Sequence, residues 1–193
     1  MDWLTIQNKL RLCSAGIAGA GGLGSNCAAA LVRVGIGRLV ICDFDRVEES
    51  NLNRQFYFRD QIGMLKVEAL RTNLLRINPH LNIEIYQVRL NSANIPELFG
   101  GVDVLFEAFD RADQKEMIIE TALTAWPDRP IIAGSGMAGY GNSGSIQQWK
   151  SGNLYVCGDG TSEAGPDTPP LAPRVGMVAN MMANIGIEIL LTN

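Results

Sequence analysis

The chain has no CxxC pair and a single histidine, and its four cysteines, Cys13, Cys27, Cys42 and Cys157, stand far apart. Structural zinc sites and disulfide frameworks need thiols at short, paired spacing, so neither is expected. His80, in "INPH", reads as a loop or helix-end residue rather than a catalytic base. No run of basic residues occurs, and 16 Lys+Arg against 20 Asp+Glu give a net charge of -4. That balance withholds the electrostatic footprint of a nucleic-acid or membrane-surface partner. No apolar run is expected to reach the ~18 residues of a membrane span, and no charged n-region opens the sequence. A cytoplasmic protein is expected, with its partner to be argued from a site.

What is present is 47% hydrophobic residues over a length of 193, enough for one domain, residues 1–193, to bury a core. Strand-length apolar runs alternate with segments of helical period: "LCSAGIAG" (12–19), "SNCAAALVRVG" (25–35), "RLVICD" (38–43). Such alternation, with strands apolar throughout, predicts α/β architecture with a doubly wound, mostly parallel, Rossmann-like sheet. The pattern continues with a helix over 64–77, a strand over 82–88, a strand over 102–109, a helix over 113–125 and a strand over 130–135. The short runs "GSIQQWK" and "NLYV" then predict a small antiparallel extension near the C-terminus. A Gly- and Pro-rich polar segment over 158–173 follows, too long for an ordinary connection and so a candidate functional loop. An apolar helix, "VGMVANMMANIGIEILL", closes the sequence.

"GAGGLGS" joins the first strand to the first helix, with Gly19, Gly21 and Gly24 at GxGxxG spacing. Glycines allow a tight turn and close approach of a phosphate, and the helix N-terminus favours an anion. Asp43, closing the second strand, stands where a carboxylate meets ribose hydroxyls in this architecture. A structural turn with a loop-capping aspartate would look the same, and an NAD-binding oxidoreductase would also fit. Beyond Asp43, however, lie Arg54 in "NLNRQF" and Lys66 in "GMLKVEAL", while Asp110 ends the fourth strand. An arginine fork and a lysine suit a departing pyrophosphate, and a carboxylate suits magnesium. Singly, the cations could be surface groups and Asp110 a helix cap; together at one sheet edge they indicate ATP rather than NAD.

Glycine loop, "DFD", "SNLNRQ", the lysine and the aspartate together resemble the ThiF/MoeB family, bacterial relatives of the ubiquitin-activating enzymes. Size and the "APRVGMVANMMANIGIEILL" ending resemble most the short ThiF-type proteins that act on ThiS-like sulfur carriers in thiamine biosynthesis. The resemblance implies an adenylyltransferase that uses ATP and Mg2+ to activate the C-terminal glycine of a small ubiquitin-like sulfur carrier. The carrier would end Gly-Gly, and a separate sulfur donor would act afterwards. Gly22 and its neighbours would approach the nucleotide and Asp43 would hold the ribose. Ser50, Asn51 and Arg54 would line the phosphates, Lys66 would neutralise the β- and γ-phosphates, and Asp110 would bind magnesium. A homodimer is implied, with the last helix as a plausible interface.

Three departures accompany the resemblance. Longer members carry an "RYxRQ"-like segment whose arginine reaches the neighbouring subunit's ATP; before Gly19 only Lys9 and Arg11 could substitute. Longer members bind zinc through two CxxC pairs, which are missing here. The loop before the last helix, "TSEAGPDTPPLAPRV", lacks the sulfur-handling cysteine of relatives, leaving Cys157 as the one candidate for a covalent role. The alternatives are activation of a carboxylate on modified tRNA, an inactive scaffold subunit, or a plain NAD-binding protein.

Overall fold

The computed structural model describes residues 1–192. The apolar runs become β1 (Ser14–Ala18), β2 (Arg38–Cys42), β4 (Val104–Glu107) and β5 (Ile131–Gly134), with β3 (Asn82–Tyr86) outside them. Two further strands, β6 (Gln147–Ser151) and β7 (Leu154–Gly158), complete one sheet in the order β3-β2-β1-β4-β5-β7-β6. All neighbours run parallel except β6, which pairs antiparallel with β7 at the edge. Strands β1, β4 and β5 are buried at every residue, because helices cover both sheet faces. The predicted extension is therefore one strand wide: β7 continues the parallel sheet beside β5, and only exposed β6 reverses.

One face carries α2 (Gly22–Arg33), α3 (Lys66–Ile77) and α6 (Ala172–Thr192). The other carries α4 (Ile95–Phe99) and α5 (Ala112–Ala125). Helix α2 begins at Gly22, inside the glycine loop, rather than at the predicted Ser25. Its glycines are poor helix formers, but packing of α2 along α6 decides the matter. Two α-helices escaped the sequence reading. Helix α1 (Trp3–Leu10) starts on Asp2, whose Oδ1 accepts the Thr5 N–H at 2.8 Å, and α4 is a five-residue turn in the crossover from β3 to β4.

Helix α6 corrects one expectation. By length and composition it is long and apolar enough to cross a membrane, with a mean hydropathy of 1.5. Its stripe of Val175, Val178, Ala179, Met182, Ile185 and Ile189 is nevertheless buried, much of it in the core against α2 and the sheet. A Cβ on Gly186 would meet the Phe106 ring, so helix and sheet are in direct contact there. The opposite face, Met177, Asn180, Asn184 and Glu188, is mixed in character.

Candidate active site

The strand order reverses its direction of winding between β2 and β4 on either side of β1, and a cleft of about 810 Å³ opens at the carboxyl ends of these strands. Gly19 bends the chain there with φ of 97°, and a Cβ would stand 2.9 Å from the Ala108 carbonyl oxygen. Gly19, Gly21 and Gly22 line the cleft. Gly24 does not: it lies behind the loop, where any Cβ would overlap the Gly19 carbonyl, so its role is helix-to-strand packing. Among the described residues no side chain caps α2, which leaves the N–H groups of its first turn directed at the cleft.

Asp43 sits one residue past β2. Its Oδ2 accepts the Ala20 N–H at 2.7 Å and its Oδ1 the Asp45 N–H at 2.8 Å, which fixes the carboxylate beside the glycine loop. Lys66 is the first residue of α3, an unfavourable place for a cation because of the helix dipole. It is held by Asp45, Nζ to Oδ2 at 2.9 Å, and is nearly buried while still lining the cleft. Tyr57 ties this corner together by donating its one O–H to the Ala20 carbonyl at 2.7 Å, with the Lys66 carbonyl also near at 3.3 Å.

Arg54 lies with its chain beside Gly22 and donates to the Ser50 carbonyl at 3.1 Å and Asn53 Oδ1 at 2.8 Å. No carboxylate neutralises it among the described residues. Ser50 and Asn51, which the resemblance places on the phosphates, do not line the cleft. The Asn51 side-chain oxygen accepts the Glu48 N–H at 3.0 Å, and its backbone carbonyl accepts the N–H groups of Arg54 and Gln55. Its side-chain oxygen is spent on the 3-10 turn that delivers Arg54. Ser50 donates outward to Glu48 at 3.3 Å.

The acid that ends β4 is Glu107, not Asp110. Glu107 is fully buried, accepts both from Lys115 Nζ, at 2.9 and 2.7 Å, and from the Phe109 N–H at 2.6 Å. Burial pushes its carboxyl up, with Lys115 opposing. The pair clamps the turn that carries Asp110, which is exposed, lines the cleft and has no ion pair among the described residues.

Beyond the glycine loop the cleft runs under residues 160–164 and Pro170. This segment is tied down by Asp159, whose Oδ1 accepts the N–H groups of Thr161 and Ser162 at 2.9 and 2.8 Å and whose Oδ2 pairs with Arg174 on α6. Burial by itself raises the Asp159 carboxyl, but those N–H groups and Arg174 outweigh it and hold it at about 2. Cys157 is fully buried and its thiol is pushed up to about 12 by burial, so it is neither a thiolate nor accessible, which removes the covalent role left open for it.

Residues 4–193 match the model of the ThiF family. The chain belongs to the ThiF family. It is 32% identical to the adenylyltransferase and sulfurtransferase UBA4 of Meyerozyma guilliermondii, over 97% of this chain and 45% of that protein. The chain thus spans less than half the length of that relative. Among solved structures it is similar to E. coli tRNA N6-threonylcarbamoyladenosine dehydratase TcdA in complex with ATP. The TM-score is 0.88 at 19% identity, covering 97% of this chain and 89% of the other. E. coli MccB with ATP matches at a TM-score of 0.73 and 21% identity, covering 97% and 58% of the two chains. These two likenesses show the fold.

Within the ThiF fold, Gly19, Gly21, Gly22, Asp43, Arg54, Lys66 and Asp110 converge on one cleft, while Gly24, Ser50 and Asn51 support it from behind. His80 is exposed and lies outside it. Sequence reasoning missed Asp45, Gln55, the Glu107–Lys115 pair and the Asp159–Arg174 pair. It also missed Phe44, which lines the cleft beside Asp43 with the Arg89 guanidinium 4.1 Å above its ring. Asp45 and Gln55 had legible signals, the first in its i, i+2 spacing from Asp43 and the second in its place in "SNLNRQ".

Proposed function

We propose that the chain is an ATP-dependent adenylyltransferase acting on the C-terminal glycine carboxylate of a small ubiquitin-like sulfur carrier ending Gly-Gly. The observation that carries this reading is one continuous cleft. An uncapped helix N-terminus, two cations and an unpaired carboxylate gather at one end, and at the other a channel runs under a tethered loop. The triphosphate would lie on the glycine loop with ribose at Asp43 and the base toward Phe44 and Val88. Asp110 fits magnesium: it is a hard, unpaired oxygen donor at the phosphate end, and the ion would supply neutralisation of phosphate charge there.

The tail would lie extended in the channel lined by Ala138, Ser162 and Pro170. Its carboxylate is already ionised at neutral pH, so no general base is needed. A carboxylate oxygen forms a bond to the α-phosphorus as the bond to the β-phosphate bridging oxygen breaks. Pyrophosphate leaves with that electron pair, and Arg54 and Lys66 meet its developing charge. The product is an acyl-adenylate, which a separate sulfur donor would convert to a thiocarboxylate. The UBA4 relatives, named as adenylyltransferases and sulfurtransferases, support a carrier of this class without favouring thiamine biosynthesis over another sulfur route. A cytoplasmic homodimer belongs to the same proposal and rests on the family resemblance.

The second reading, activation of a carboxylate on modified tRNA, has the likeness to TcdA in its favour and the net charge of -4 against it. ATP–pyrophosphate exchange, run with a panel of Gly-Gly carriers and with tRNA, separates the two. Exchange that depends on a carrier is expected. Exchange that depends on tRNA alone, or none with any carrier, would overturn the carrier reading.

A further inference from the structure

Arg54 keeps its full charge, because the side chain that holds it is uncharged. Its Nη1 donates to Asn53 Oδ1 at 2.8 Å and to the Ser50 carbonyl at 3.1 Å, which leaves Nε and Nη2 without a partner among the described residues. Lys66, by contrast, has a carboxylate at 2.9 Å. A neutral acceptor orients a guanidinium without cancelling the charge that a phosphate is to meet.

The other end of the same amide reaches the roof of the channel. Asn53 Nδ2 donates to the Pro170 carbonyl at 3.3 Å, the one hydrogen bond among the described residues between the roof segment, residues 160–171, and the turn that delivers Arg54. Pro170 lines the cleft and is bridged to Ala138 and Gly139, where the Gly139 N–H donates to the Pro169 carbonyl at 3.0 Å. Asn53 itself does not line the cleft, so it stands behind two groups that do. Its amide can serve both ends in one orientation only. A guanidinium offers donors and no acceptor, and a proline carbonyl accepts only, so the oxygen must face Arg54 and the nitrogen Pro170.

We propose that Asn53 is a positioning residue that couples the roof of the tail channel to Arg54: a nucleotide held by Arg54 orders the roof, and an occupied channel sets Arg54 on the departing pyrophosphate. The coupling is reciprocal, as linkage between two sites requires. The assignment rests on the adenylyltransferase reading and adds to it a connection between the two ends of the cleft.

ATP with Mg2+ and no carrier binds without turning over, so amide hydrogen exchange can follow the two ends of the cleft separately. In wild type, ATP is expected to slow exchange at the glycine loop, residues 19–24, and also at Gly139 and Thr168, whose N–H groups bond across and within the roof. The slowing at the roof should be about fivefold or more. Two variants break the connection: Asn53→Ala removes both contacts, and Asn53→Asp keeps an acceptor for Arg54 but presents no donor to Pro170. In each, ATP is expected to protect the glycine loop and no longer the roof. A role confined to stability would instead change roof exchange equally with and without ATP. Roof protection by ATP retained in either variant overturns the inference. So does wild-type protection confined to the glycine loop, an outcome that needs no variant to fold. If ATP protects neither region in wild type, the adenylyltransferase reading falls and takes the Asn53 assignment with it.

Discussion

At the scale of single residues, the cleft separates groups that face a ligand from groups that hold them in place. Arg54 and Asp110 face the cleft, and neither is neutralised by an ion pair among the described residues. Arg54→Ala and Asp110→Ala are each expected to lower turnover by roughly 10²-fold, since contacts to developing charge typically supply a few kcal/mol. Ser50→Ala should stay within about twofold of wild type, as an exposed side chain outside the cleft. Steady-state pyrophosphate exchange checks all three. A large loss at Ser50 with none at Arg54 would reverse the roles drawn from the geometry. Lys66 belongs to both classes, because its ammonium lines the cleft and is also committed to Asp45. That pairing was invisible in sequence, where Lys66 stood as a lone helix cation.

At the scale of elements, two loops at the carboxyl edge of the sheet are each held by an internal ion pair, Glu107–Lys115 for the turn after β4 and Asp159–Arg174 for the segment after β7. The second makes a pH prediction. The Asp159 carboxyl lies at about 2 in the folded chain against an ordinary 3.8, so the carboxylate stabilises the fold fully above pH ~4. That contribution is lost as pH falls through the folded value. Urea unfolding across this window should show the stability gap between wild type and Asp159→Asn closing as pH falls. A gap that stays constant with pH would mean that the carboxylate's charge is not what holds the loop. The strands and long helices were legible because their apolar periods survive any tertiary context. The start of α2 and the short turn α4 were not. The first is set by packing on α6 and the second by the geometry of a crossover.

At the scale of the whole molecule, the sheet order places the cleft at the point of reversal beside β1, and one site has to accept either a mononucleotide with a peptide tail or a dinucleotide. These are distinguishable by linkage. ATP at about 100 times its Kd adds roughly 2.7 kcal/mol to the stability of the chain, enough to raise Tm by several degrees for a domain of this size. NAD at the same concentration is expected to leave Tm unchanged, and equal shifts with the two ligands would revive the oxidoreductase reading. By itself the sequence determined the α/β alternation, the glycine turn and the family motif around Asp43 and Arg54. These depend on residue type and short spacing, which the chain carries locally. The tertiary structure decided which polar groups are spent on one another. Asp45 goes to Lys66, Glu107 to Lys115, Asp159 to Arg174 and the Asn51 side-chain oxygen to its own turn, while Gln55 is left buried with its oxygen unpaired among the described residues. The physical reason is that a hydrogen bond is settled within about 3 Å, and only the packing of α2, α3 and α6 on the sheet brings those groups to that distance.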